Sequence, residues 1–311
     1  MKPSLLHPAC WPSWLAIGLL RLLALLPQRW LITLGKLLGL LLYYLLPGRR
    51  HVVEVNASLC FPEQDAQQHK AFVRAVLVSS ITGYLETAWS WWASDKTLAG
   101  KADYEGLELL QQADDGRGIL LIGSHFTTLD LAGRLLRLKV DVDSSYQKQS
   151  NPVFDYCILK YRLKRFTNMV EKTEMRRLVK LLKSGRIVWF ASDQDFGRKH
   201  SVFVPFFGQP AATLTSISKI LKLSGARPLY FSHYRVTGAN GETRYRLRIS
   251  DPFAGLGDDD EANGRLINQV IEQAIREAPE QYMWVHRRFK TRPNPDDPKL
   301  YQFSHKRKKS R

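Results

Sequence analysis

Between Gly118 and Gly123 runs Ile-Leu-Leu-Ile, and nothing else in the chain restricts its fold as tightly. A strand with no apolar–polar alternation has no face to give to water, so it needs cover on both sides. Leu129–Leu138, just beyond, has the spacing of a helix. Further strands are expected at Ile187–Ala191, Arg227–Tyr234 and Tyr245–Ile249, and helices at Pro152–Leu163, Glu174–Lys183, Thr215–Leu223 and Glu261–Glu277. Strands alternating with helices predict an α/β fold with a mixed, largely parallel central sheet flanked by helices. At 311 residues, 44% of them hydrophobic, the chain has the material for such a core, and wholesale disorder is excluded.

The amino end is of a different kind. Trp11–Leu46 is Leu-rich and breaks at Pro27-Gln28-Arg29, and Arg21 and Lys36 interrupt its halves. Neither half offers 18 uncharged apolar residues, so the expectation is a membrane-associated helix or helical hairpin rather than a clean span. Trp11, Trp14, Trp30, Tyr43 and Tyr44 suit the water–lipid interface. A buried hairpin of a soluble domain is the alternative, and no small-residue cleavage site follows to make the run a signal peptide. Arg49 and Arg50 directly after the apolar run place residues 51–311 in the cytoplasm by the positive-inside rule. The division expected is an anchor at 1–50, an α/β domain at 51–295 that opens with a helix over Gln64–Trp92, and a disordered basic tail at 296–311. Trp89, Trp91 and Trp92 either pack in the core or line an apolar groove.

Net charge is +17, of which residues 1–50 hold +6 and residues 286–311 hold +8, leaving +3 for the body between. A DNA-binding domain more often carries its basic stripe through its body, so nucleic acid is not an expected partner. Lys160–Arg186 is a further local +8, fit for docking an acidic carrier or a phosphorylated lipid. Three cysteines with no CxxC argue against a disulfide framework and a zinc knuckle.

Chemistry gathers after the first strand, in Ser124-His125-Phe126-Thr127-Thr128-Leu129-Asp130. Sites in α/β sheets collect at the carboxyl ends of strands. There Asp130 can accept from one imidazole nitrogen of His125 and leave the other to take a proton. With no G-x-S-x-G and no reactive cysteine, the nucleophile should be a hydroxyl of the substrate. A helix-capping polar pair is the plainer alternative. Asp193-x-Asp195 follows the strand Ile187–Ala191; a DxD can hold a divalent metal, or form a polar turn. His286-Arg287-Arg288-Phe289-Lys290 either faces lipid phosphates through Arg287 and Arg288 or is a solvated basic end.

His125-x4-Asp130 behind an apolar strand resembles the signature of the glycerolipid and lysophospholipid acyltransferase superfamily. Longer stretches are similar to one branch, the lipid A late (secondary) acyltransferases of Gram-negative bacteria, of lauroyl/myristoyl transferase type. They begin with Leu6-His7-Pro8 and Trp11, Asn56, Leu59-Cys60-Phe61-Pro62-Glu63 and Glu86-Thr87. Gly118–Gly123, Asn151-Pro152, Asp193-Gln194-Asp195-Phe196-Gly197, Ser201–Phe207 and Ala212-Thr213 follow, and Ala278–Pro293 closes the match. The Cys-Phe-Pro-Glu and Ala278–Pro293 pieces are the specific ones. The resemblance implies transfer of a fatty acyl chain from acyl carrier protein to the 3-hydroxyl of an acyl chain on a lipid A precursor, at the cytoplasmic face of the bacterial inner membrane. It implies contact with membrane phospholipid and no cofactor or metal. His125 would be the general base and Asp130 its orienter. Arg162, with Arg165 as competitor, would be the basic group at the substrate, and Asp193 and Asp195 would position substrate or support the histidine. Other members carry an arginine after the tyrosine at Tyr146, where this chain has Gln147 and then Lys148. An acyltransferase with a glycerophospholipid acceptor and a non-enzymatic basic membrane-surface protein are the competing readings.

Overall fold

A computed structural model describes residues 5–110 and 116–303. Four helices come first: α1 (Trp11–Leu23), α2 (Gln28–Leu45), α3 (Pro47–Cys60) and α4 (Ala66–Trp92). A short α5 (Asp95–Leu98) and β1 (Ala102–Glu105) lead into β2 (Ile119–Gly123), α6 (Leu129–Arg137), β3 (Val142–Tyr146), α7 (Pro152–Leu163), β4 (Met169–Glu171), α8 (Met175–Lys183) and β5 (Ile187–Ala191). A separate hairpin of β6 (Ser201–Phe206) and β7 (Gln209–Leu214) follows, then α9 (Ser216–Ser224), β8 (Arg227–Thr237), β9 (Thr243–Ser250) and α10 (Asp260–Glu277). The main sheet has the order β1-β9-β8-β2-β5-β3-β4, parallel throughout except where β8 and β9 pair antiparallel.

The expected double cover of β2 is present: all five of its residues are buried. Leu120 and Ile122, with Val188 and Phe190 of β5, face a core built with α8, α9 and α10. Ile119 and Leu121 face the opposite way, onto Leu131, Leu135 and Leu136 of α6 and onto Leu31 and Leu85 of α2 and α4. Each such side chain contributes about 1.5–3 kcal/mol by leaving water.

Local chemistry sets the helix ends. Asp65 and Gln68 close a capping box at α4. Asn151 accepts from the first amides of α7, with Pro152 at the first helical position, and Asp259 does the same capping at α10.

The strands missing from the sequence reading carry polar residues or proline where an unbroken apolar run would have marked them. β3 is Val-Asp-Ser-Ser-Tyr; its buried Asp143 is neutralised by Arg186 and takes the Asn168 amide. In the β6–β7 hairpin, Pro205 stands opposite Pro210, and the turn is Phe207-Gly208 with both φ positive. The proline pair disguised both strands, because proline cannot donate to a ladder.

The amino-terminal helices pack onto the α/β body. α2 lies against α4 so closely that a Cβ on Gly39 would stand 2.5 Å from the Val78 Cα, and one on Gly35 2.8 Å from the Thr82 Cα. α1 contributes Ile17 to a cluster with Trp91, Val153 and Cys157, where Trp91 stacks on Tyr161 at 5.3 Å. Of the three tryptophans at the end of α4, Trp89 and Trp91 are therefore core, and Trp92 packs on Tyr161 beside them. The outward faces keep Leu15, Leu19, Leu22, Leu37, Leu41 and Leu45 exposed. Among the described residues no single helix is long and apolar enough to cross a membrane; α2 and α3 pass that test only together, across a 95° bend. In the carboxyl-terminal segment Tyr301 is buried and its hydroxyl donates to Asn56 Oδ1 at 2.5 Å. The basic run Lys306–Arg311 lies outside the described residues.

Candidate active site

β2 and β5 are in-register neighbours, with Gly123 beside Ala191. Two residues beyond each strand end, His125 and Asp193 therefore emerge side by side. Asp193 grips His125 twice: Oδ1 lies 2.6 Å from the ring Nδ1, and Oδ2 accepts the His125 backbone N–H at 2.7 Å. The Asp193 side chain is wholly buried, and the imidazole keeps about a fifth of its surface open. Burial by itself would raise the Asp193 carboxyl. The His125 charge and the two His125 hydrogen bonds outweigh it and hold the group at about 2. A carboxylate only accepts, so Nδ1 carries the proton and the lone pair sits on Nε2. Nε2 has no partner among the described residues.

This corrects the expected pairing. Asp130 does not take the imidazole nitrogen. It lies in the first turn of α6 and faces α7, where its Oδ1 accepts from Arg162 Nε at 2.9 Å and Nη2 at 2.7 Å, with the Thr87 hydroxyl 3.4 Å from Oδ2. The physical reason is direction: Nδ1 points along the sheet to the next strand end, not back over the helix that follows. Arg162 is thus brought to the site through Asp130. Arg165 is drawn off towards Asp95, which it shares with Arg134.

Asp195 spends both oxygens on the chain itself. Oδ1 accepts from the Gly197 amide and the Thr291 hydroxyl, and Oδ2 from the Thr291 amide at 2.6 Å. Neither Asp193 nor Asp195 presents a free carboxylate edge to a cation, and no cluster of three or more metal-ligating side chains occurs among the described residues. Arg288 overturns its expected outward role. It is 1% exposed, its guanidinium donates to Ala212 O at 2.6 Å and Thr213 Oγ1 at 3.1 Å, and it covers the Phe206 ring. Arg288 thereby satisfies the buried Ala212 carbonyl and shares the Thr213 hydroxyl with Asn268 Nδ2, which also donates to it at 3.1 Å. Arg287 is exposed.

The remaining motif residues build the frame. The Met283 amide donates to His125 O at 2.9 Å, and the Thr127 amide to Gln281 O at 2.7 Å. The carboxyl-terminal segment thereby lies along the histidine loop as a short backbone bridge, Phe126 opposite Tyr282. Asn56 donates to Trp284 O and His286 O, which fixes that segment to α3. His286, driven down to about 4 by burial, stays neutral and accepts the Asp195 amide. Glu86, 1% exposed, takes Arg235 through both oxygens at 2.7 and 2.5 Å and accepts the Tyr245 hydroxyl.

Sequence reasoning missed Trp189, Gly133 and Phe166; His233, which shows no ligand spacing and is expected with the other histidines to be structural or exposed, is structural. His233 is fully buried, pushed to about 3 by burial, and its Nδ1 meets the Thr128 hydroxyl at 2.8 Å. Trp189 stands edge-on to His125 with ring centres 6.2 Å apart. Leu129, Asp130, Gly133, Leu136, Val142, Ser144, Arg162, Phe166, Trp189 and Phe231 line a pocket beside the histidine, with Asp130, Arg162 and Ser144 as its polar groups and apolar side chains elsewhere.

Fold and site together define an α/β protein organised around a histidine–carboxylate pair at the carboxyl ends of central parallel strands. Comparison with known proteins makes this specific. Residues 1–291 match the family described as bacterial lipid A biosynthesis acyltransferase. The chain is 36% identical to the lipid A biosynthesis lauroyltransferase of Escherichia coli K12 over 293 residues, covering 93% of this chain and 95% of the relative. It is 34% identical to the palmitoleoyltransferase of the same organism over 290 residues, covering 93% and 94%. The chain belongs to the bacterial lipid A biosynthesis acyltransferases. Among solved structures, the 1-acyl-sn-glycerophosphate acyltransferase PlsC of Thermotoga maritima aligns over 80% of this chain and 98% of its own, with TM-score 0.38 and 16% identity.

Proposed function

We propose that this protein transfers a fatty acyl group from an acyl carrier protein thioester to a hydroxyl on an acyl chain of a lipid A precursor, with His125 as general base. The observation that carries the reading is the asymmetry of the imidazole: Nδ1 is locked on Asp193 and Nε2 is open. Nε2 removes the hydroxyl proton, and the alkoxide adds to the thioester carbon. The tetrahedral oxyanion collapses with loss of the C–S bond, and the departing thiolate recovers the proton from the imidazolium. Asp193 stabilises that cation. Arg162, aimed at the pocket mouth by Asp130, is the donor nearest to hand for the oxyanion, a role worth about 10²–10³ in rate. No acyl-enzyme is needed, since the substrate brings its own nucleophile.

The exposed leucines of α1 and α2 are the surface for the bilayer. They form the face of an interfacial pair of helices, with Trp11, Trp30 and Tyr44 at its margin. Such a face supports attachment at the cytoplasmic side of the inner membrane, where both the carrier and the precursor can reach the protein. The basic stretch Lys160–Arg186 is the docking ground for the acidic carrier. The test is a transfer assay with purified carrier thioester and precursor, followed by mass spectrometry of the product. A gain of one ester-linked acyl chain with the wild type, absent with His125→Ala, is the expected result. Transfer by His125→Ala at the wild-type rate would sink the mechanism.

A further inference from the structure

The pocket beside His125 has a direction. Asp130, Gly133 and Leu136 lie on one face of α6, from its mouth to its floor, spanning about 9 Å at 1.5 Å per residue. On the sheet side Trp189 stands next to the histidine. Val142, paired with Ile187 two residues nearer the amino edge, closes the far end with Leu136. Val142 and Leu136 are each 2% exposed, so the end is blind.

Gly133 sits midway, inside a helix, where glycine is less favourable than alanine. Its φ is not positive, so no turn requires it. A Cβ added there would meet one atom within 4 Å, Phe166 Cζ at 3.3 Å. Phe166 lies on the loop after α7 and is half-buried, the aromatic wall of the pocket not held by helix or sheet.

We infer that Gly133 and Phe166 set the length of the acyl chain transferred: the missing side chain at 133 leaves room between α6 and the Phe166 ring for the donor's hydrocarbon. This rests on the acyl-transfer reading above. The occupant is the donor chain because its carbonyl carbon must lie at His125. A largely apolar pocket whose Trp189 wall stands beside the His125 ring measures carbons from that carbonyl, and the multi-chain acceptor does not fit a single slot. Overall similarity does not settle length: two relatives at 36% and 34% identity are named for lauroyl and palmitoleoyl groups.

The test compares kcat/KM over a series of carrier thioesters of increasing chain length for wild type, Gly133→Ala, Gly133→Leu and Phe166→Ala. Each CH₂ that loses its apolar seat costs roughly fourfold. Gly133→Leu should therefore move the optimum to shorter chains and lower the wild type's best donor tenfold or more against a donor two carbons shorter. Phe166→Ala should move the optimum to longer chains. Length profiles that keep the wild-type optimum in all three variants overturn the inference, whether rates fall uniformly or not at all. Failure of the wild type to transfer any chain overturns the acyl-transfer reading itself, and the length assignment with it.

Discussion

At the residue scale Asp193 holds the His125 imidazole, and Asp130 holds the Arg162 guanidinium. His125 was legible because a histidine and an acid stand just past an unbroken apolar strand. Its partner was not, because adjacency across a parallel sheet depends on strand order, which the sequence does not print. The register of β2 against β5 makes Asp193 the neighbour. Asp193→Asn is therefore expected to lower kcat by about 10²–10⁴, through loss of the tautomer that leaves Nε2 basic, and to change the pH profile. Asp130→Asn should loosen Arg162 and leave the pH profile's lower limb in place. The reverse pattern in pH–rate curves of the two variants would return the orienting role to Asp130. Asp193 also links stability to pH. Its folded value of about 2 lies below its ordinary 3.8, so it stabilises the fold above about pH 4 and the contribution fades as pH falls towards 2. The amount is about 2 kcal/mol.

Among the elements, β2, β5, α6 and α7 could be read from periodicity, and β3, β6 and β7 could not. What hid β3 was its polar content, which makes sense only once Arg186 and Asn168 are known to meet Asp143. One close contact holds two helices of the helical layer together and another ties that layer to the sheet, and each is open to test. Gly39→Leu forces α2 away from the backbone of α4 and should cost about 1–3 kcal/mol by overpacking. Calorimetry of the variant should show a lower Tm; an unchanged Tm would mean the two helices are not in tight contact. Glu86→Gln leaves Arg235 buried beside an uncharged amide, with an expected loss of about 3–5 kcal/mol. Chemical denaturation reads it, and a midpoint equal to the wild type's would remove Glu86 from the frame of the site.

Over the whole molecule, the surplus of positive charge at both ends and in Lys160–Arg186 was legible from counting alone. Which basic groups are free to meet a partner was not: Arg288 is spent inside the fold and Arg287 is not. Substituting Leu15, Leu19 and Leu22 together by glutamate should release the protein from vesicles of anionic phospholipid without unfolding it. Flotation that still carries the triple variant with the vesicles would refute a lipid-facing role for that side of α1. Buried histidines make the molecule acid-sensitive as well. His286 and His233 titrate near 4 and 3 in the fold against an ordinary 6.5. The unfolded chain therefore takes up their protons first, and stability declines as pH falls from about 6.5 towards 3. Urea midpoints that stay flat from pH 7 to 4 would contradict this. Finally, the backbone bridge between His125 and Met283 sets a timetable for biosynthesis. The leucine-rich helices leave the ribosome first, whereas the strut beneath the histidine is made 158 residues after it, roughly 8–30 s later at 5–20 residues per second. A nascent chain thus completes its leucine-rich helices well before the His125 loop is braced, and a polypeptide truncated near residue 280 would lack that brace altogether.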